Sequence, residues 1–147
     1  MIALLQRVAQ SSVSVSDKKI AATGAGLLVL LAVEPDDTEK TCASMVRKIS
    51  RYRIFSDQQG KMNLSLLDTQ GELMLVPQFT LAADTGRGLR PSFTSAADPA
   101  EGARLFDIVV TLARELGCVV GTGQFGANMQ VSLTNDGPVT FILRESS

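Results

Sequence analysis

Apolar and polar positions alternate through the first quarter of the chain. Ile2 to Val8 reads as a strand, and Ser11 to Ser16 (Ser-Ser-Val-Ser-Val-Ser) as a second. Asp17-Lys18-Lys19 is a polar turn, Ile20 to Thr23 a short strand, and Gly24-Ala25-Gly26 a break. Leu27 to Val33 is continuously apolar, as a strand buried on both faces is. This quarter predicts mostly antiparallel β-structure. The period then changes. Thr38, Cys42, Met45, Ile49 and Tyr52 recur at spacings of three and four. They predict a helix opened by Pro35-Asp36-Asp37-Thr38-Glu39, with Asp36 as its cap and Glu39 three residues later. Lys40, Arg47, Lys48 and Arg51 lie largely off this stripe and are expected to form a solvated face.

Arg53-Ile54-Phe55 predicts a short strand and Asp57-Gln58-Gln59-Gly60 a turn, while 61–66 gives no clear reading. Glu72 to Val76 predicts a strand that runs into Pro77-Gln78-Phe79-Thr80-Leu81. Asp98-Pro99-Ala100-Glu101 signals a helix start, with a cap, Pro at the first helical position and Glu in the first turn. Leu105, Ile108, Val109, Leu112 and Leu116 make its apolar stripe, and Gly117 ends it. Near the C-terminus, Met129 to Thr134 and Val139 to Leu143 predict two strands joined by Asn135-Asp136-Gly137-Pro138. Asn, Asp and Gly tolerate positive φ, so that stretch predicts a tight hairpin turn, with Pro138 at a strand start where no N–H is needed. A second reading is that Gly137-Pro138 offers backbone carbonyls to a ligand. Two helices among about eight strands fit an α/β fold. Its layers are α/β/β: helices pack on one face of a mostly antiparallel or mixed sheet, with a second β layer.

Composition narrows the chemistry. At 147 residues, with 45% hydrophobic and 20% charged, the chain is expected to form one domain spanning 1–147. No apolar run reaches the ~18 residues of a membrane span. The N-terminus lacks the basic region and cleavage site of a signal peptide, so a cytoplasmic protein with no membrane partner is expected. A net charge of −1 argues against a large nucleic-acid footprint, and so against DNA, but is compatible with a small contact to the end of an RNA. Cys42 and Cys118 form no C-x-x-C pair and read as free core thiols. The Gly-rich loop 84–91 lacks P-loop spacing, although Arg87 and Arg90 could meet a phosphate. The chain has no histidine, which excludes Ser-His-Asp and Cys-His catalysis and His-based zinc sites. Catalysis is left to hydroxyls, carboxylates, amines, backbone N–H groups or the substrate itself.

Pro77-Gln78-Phe79-Thr80 and Asn135-Asp136-Gly137-Pro138-Val139-Thr140 resemble the Ser-Gln-Phe-Thr and Asn-x-Gly-Pro-x-Thr motifs of the D-aminoacyl-tRNA deacylases. The resemblance runs the full length. It includes Gln6-Arg7-Val8, Gly60-Lys61-Met62-Asn63-Leu64-Ser65, Arg90-Pro91-Ser92-Phe93 and Phe125-Gly126-Ala127-Asn128-Met129. It implies a homodimer that hydrolyses the ester between a D-amino acid, or glycine, and the 3′ end of tRNA, with no cofactor. The implied Gly137-Pro138 bond is cis, and its loop enters the other subunit's active site. There the two carbonyls accept from the substrate ammonium while the main chain rejects L-aminoacyl substrates. Arg7 and Met129 match positions that hold the loop. Phe79 and Thr80 match the oxyanion-binding N–H groups, beside Gln78. Pro77 departs from the family Ser, losing a hydroxyl and an N–H and putting any role of that Ser in doubt. The competing reading is a non-catalytic dimer that captures an amine or amino acid.

Overall fold

The computed structural model describes residues 1–147. One strand organises its six-stranded mixed sheet. Strand β1 (Ile2–Val15) pairs antiparallel with β3 (Gly26–Ala32) through its first half and with β2 (Lys18–Thr23) through its second. Its other edge pairs along nearly its whole length with β8 (Gln130–Arg144). Beyond β3 the sheet continues in parallel with β6 (Glu72–Pro77) and then β7 (Val120–Thr122). Parallel neighbours need crossovers. Helix α1 (Glu39–Arg51) lies in the first, and α3 (Pro99–Glu115) in the second. A small hairpin of β4 (Phe55–Ser56) and β5 (Met62–Leu64) and the one-turn helix α2 (Leu66–Thr69) complete the fold.

Alternation along the strands divides the core. Ala3, Leu5, Leu27, Val29, Leu31, Leu73 and Leu75 face Cys42, Met45 and Ile49 of α1 and Leu105 and Val109 of α3. On the opposite face Val8, Leu28, Met74 and Val76 are covered by Val13, Val131 and Leu133. Those come from the far halves of β1 and β8, so the second β layer is the same sheet curled over at its bulges. The expected α/β/β layering is present.

Several local expectations change. The two predicted N-terminal strands are one bent strand. The two predicted C-terminal strands are also one, and Asn135-Asp136-Gly137-Pro138 is a bulge rather than a hairpin. Both halves of β8 pair with the same strand, β1, so tertiary pairing keeps the chain moving in one direction and the turn-forming residues are accommodated within the ladder. Helix α1 is capped at Thr38, whose N–H donates to Thr41 Oγ1 at 3.0 Å, and not at Asp36. The buried neighbour Asp37 instead accepts from the Met1 ammonium at 2.8 Å and the Glu34 N–H at 2.7 Å. Segment 61–66 holds β5 and the Ser65 cap of α2, which accepts from the Asp68 N–H. The run after Val76 ends as a strand at Pro77, and Phe79–Ala82 is a 3₁₀ turn. Expectation and structure agree on α3, with Asp98 as cap and Pro99 in the first turn, though Leu116 is exposed.

The inner edge of β3 has no tolerance at its first residue. Gly26 has φ +156°, and a Cβ there would lie 1.9 Å from the Glu72 carbonyl oxygen. Gly26→Ala is expected to destabilise the fold by roughly 3 kcal/mol or more, as backbone strain and separation of β3 from β6 combine. Urea unfolding followed by circular dichroism measures this; a loss below ~1 kcal/mol would contradict the packing described.

Candidate functional site

Strand β6 ends where its hydrogen bonding runs out. Its pairing with β7 stops at Leu75–Thr122, and the Gln78 N–H donates back to the Leu31 carbonyl at 2.8 Å. Amide directions alternate along a strand, so the position of Pro77 points toward the side where β7 has ended. A proline there costs no ladder bond. The chain then tightens into the 3₁₀ turn Phe79–Ala82. Phe79 and Thr80 open this turn, and their N–H groups have no partner within it. No loop or cap hydrogen bond uses them as donors. Phe79 is 53% exposed and its ring rests on Phe93 with centroids 5.1 Å apart, so it is not a core aromatic. Gln78 Nε2 donates to Thr80 Oγ1.

A cavity of about 420 Å³ opens beside this turn. Its lining includes Pro77, Gln78 and Phe79, Gly102 and Phe106 of α3, and Phe125 to Met129. The approach is close: a Cβ on Gly123 would sit 2.8 Å from Met129 Sδ and 3.2 Å from Pro77 Cδ. The Gln124 N–H donates to Met129 Sδ at 3.3 Å, which fixes that side chain. None of the lining residues titrates. The thiols lie elsewhere. Burial pushes Cys42 up to about 11 and also raises Cys118, so neither supplies a thiolate near neutral pH.

The second locus is the β8 bulge. Between the pairs Gln6–Thr140 and Val8–Asn135, Arg7 faces four residues, 136–139. Arg7 Nε donates to the Asp136 carbonyl at 3.2 Å and lies 3.4 Å from its carboxylate. Arg7 Nη1 donates to the Ile54 carbonyl at 2.9 Å. Asn135 Nδ2 donates to the carbonyls of Arg7 at 2.8 Å and Val139 at 3.0 Å, and Asn135 Oδ1 accepts from Thr140 at 3.3 Å. Within this clasp Gly137 has φ +134°, where a Cβ would lie 2.6 Å from Val139 Cγ2. The Gly137–Pro138 peptide is cis, and both residues are exposed.

In one chain the two loci are separate. Met129 sits at the cavity end of β8, and Gly137 and Pro138 are not among the cavity residues. Seven residues, 130–136, lie between Met129 and Gly137, a span of about 26 Å at ~3.3 Å per residue. The structure therefore brings Pro77, Gln78, Phe79 and Met129 together at the cavity, leaves Thr80 in the adjoining turn outside the lining, and ties the bulge that carries Gly137 and Pro138 to Arg7 through Asp136.

The family model described as D-Tyr-tRNA(Tyr) deacylase matches residues 4–144. The chain belongs to this deacylase family. A D-aminoacyl-tRNA deacylase of Pseudomonas aeruginosa is 57% identical over 97% of this chain and 99% of its own. One from Shewanella baltica is 54% identical over 98% and 99%. A solved structure described as c-Myc DNA Unwinding Element Binding Protein superposes with TM-score 0.94 at 37% identity, covering all of both chains. A probable eukaryotic D-amino acid tRNA deacylase shares the fold, with TM-score 0.86 at 20% identity over 97% of each chain.

For this deacylase-family chain, sequence reasoning missed Asn135 as a clasp, reading it only as a turn former, and missed the apposition of Phe93 to Phe79. The signal for Asn135 was its place at the head of the motif. Phe93 stood only within the matched segment Arg90-Pro91-Ser92-Phe93, which carries no sign of its contact with Phe79. Asn135→Ala would leave the Arg7 and Val139 carbonyls without their donor, at a cost of about 1–3 kcal/mol. A lowered melting temperature and faster amide exchange confined to 135–140 are expected; an unchanged exchange pattern would contradict the clasp.

Proposed function

We propose that the chain acts as a single-domain D-aminoacyl-tRNA deacylase of the cytoplasm, working as a homodimer. It cleaves the ester between a D-amino acid, or glycine, and the 3′ end of tRNA with water. The products are free tRNA and the amino acid. One observation carries this reading: a cavity without any titratable side chain, bordered by a turn whose first two N–H groups are unpaired. That suits an ester already labile, for which positioning and oxyanion stabilisation supply much of the acceleration. The ester carbonyl lies against the Phe79 and Thr80 N–H groups, and the neighbouring ribose 2′-hydroxyl activates the water. Gln78 steadies the turn through Thr80, and Pro77 forms apolar wall where a Ser would offer a hydroxyl.

Gly137 and Pro138 of the partner subunit complete the cavity. Their carbonyls accept from the substrate ammonium, and their main chain occupies the space that an L side chain would need. Glycine has no side chain to exclude and passes. Arg7 holds the loop from behind, in its own chain, and Met129 meets it across the interface. The separation of the two loci within one chain supports this exchange, and so does the half-exposed Ile142 on β8, beside Leu4.

Incubation with matched D-tyrosyl-, L-tyrosyl- and glycyl-tRNA is expected to release ester from the first and third and spare the second. Tight binding of D-tyrosyl-tRNA without cleavage would instead favour the amine-capturing dimer. Thr80 has no base beside it, its hydroxyl being engaged by Gln78. Thr80→Ala is therefore expected to keep kcat within about tenfold, whereas loss of a nucleophile typically costs several orders of magnitude. Near-complete inactivation of a folded variant would overturn the water mechanism.

A further inference from the structure

The exposed side of α1 carries Lys40, Ser44, Arg47 and Arg51 at spacings of four, three and four, which is one stripe ~16 Å long. Around its C-terminal half, Ser44, Arg47, Lys48, Arg51, Tyr52 and Glu145 form a depression of about 350 Å³. Its one carboxylate is already occupied: Glu145 accepts from Lys48 and Ser44, both at 2.9 Å. Arg47 and Arg51 form no ion pair. Three cations against one carboxylate leave local positive charge on a chain whose net charge is −1. A chain of that net charge does not attract a polyanion overall, so attraction has to be local.

The stripe has a defined direction. Lys48 Nζ donates to the Arg144 carbonyl at 3.2 Å, Tyr52 packs edge-on against Phe141 at 5.9 Å, and the Ile54 carbonyl accepts from Arg7. The C-terminal half of α1 thus runs beside β8 toward the Gly137–Pro138 bulge. Pro138 lies three residues beyond Phe141, about 10 Å of extended chain. The chain's own cavity is at the opposite end of β8.

We infer that the α1 stripe binds backbone phosphates of the acceptor arm of the tRNA whose 3′ end occupies the partner's cavity. This rests on the deacylase reading and its exchanged loop. A cavity of about 420 Å³ accommodates an aminoacyl ester and little more than its nucleoside, so the acceptor arm lies outside it. Where the loop of one subunit enters the other's cavity, the stripe contiguous with that loop stands at the cavity's mouth. Each tRNA is then held by one subunit for chemistry and by the other for position.

The test compares D-tyrosyl-tRNA with 3′-O-D-tyrosyl-adenosine, which has no acceptor arm. Arg47→Gln/Arg51→Gln is expected to raise KM for the tRNA about tenfold near 0.1 M salt and leave kcat unchanged. The plot of log kcat/KM against log salt should become shallower by about 1.5, as for two lost phosphate contacts. Hydrolysis of the adenosine ester should not change. Equal losses on both substrates, or an unchanged KM and salt slope, would overturn the inference. Mixed dimers locate the stripe. One stripe-neutral subunit paired with one Ala127→Trp subunit, whose cavity is filled, should keep the wild-type KM. Wild type paired with a subunit carrying all three changes should show the raised KM. The reverse would overturn action across the dimer. If wild-type protein cleaves neither ester, it is the deacylase reading that fails.

Discussion

Arg7 faces four residues of β8 where a regular ladder would give it one. Much of the molecule's geometry follows from that mismatch. Pairing on both sides of it keeps β1 and β8 in register, so the four residues cannot drift along the strand. They can only project. Arg7 and Asn135 then satisfy the backbone groups that the interrupted ladder leaves open. The result is an exposed Gly137–Pro138 segment whose base is anchored to two strands and, through the Ile54 carbonyl, to the end of α1. The same long pairing lets the sheet curl, which covers Leu28 and Met74 and sets the cavity at the far end of β8.

The chemistry assigned to the cavity is limited by what lines it. With no histidine in the chain and no acid or base in the cavity wall, the proposed reading leaves the protein to supply orientation, N–H donors and exclusion. An aminoacyl ester needs little beyond that. The proposed selectivity, built from main chain, suits the same economy. A side chain can rotate away at small cost, whereas backbone held between two strands by the Arg7 and Asn135 clasp cannot.

The elements legible in sequence were those whose signal is local. The Asp98-Pro99 start and Gly117 stop of α3 are capping chemistry, and the apolar run 27–33 is a strand buried on both faces. What failed was whatever a distant partner decides. Asn135-Asp136-Gly137-Pro138 has the residues of a hairpin, and only β1, more than a hundred positions away, turns it into a bulge. Asp36 and Thr38 are both competent caps, and Thr38 takes the role while the adjacent Asp37 is drawn to the Met1 ammonium. Phe79 follows a buried strand yet is exposed, because the strand ends at Pro77. For the candidate site, the motifs single out residues that the fold places in two groups, one at the start of β8 and one at the bulge in its middle, and no local pattern shows that division.

That division makes a site completed by the partner subunit the central claim, and complementation tests it directly. One variant, Ala127→Trp, fills the cavity and leaves the bulge intact. The other, Arg7→Ala/Asn135→Ala, unclasps the bulge and leaves the cavity intact. Each homodimer is expected to be inactive on D-tyrosyl-tRNA. After equal mixing and subunit exchange, half of the dimers are mixed, and each has one of its two sites whole. Activity should therefore return to about a quarter of the wild-type level in a symmetric dimer. No recovery, with mixed dimers demonstrated by mass, would show that each chain builds its site alone.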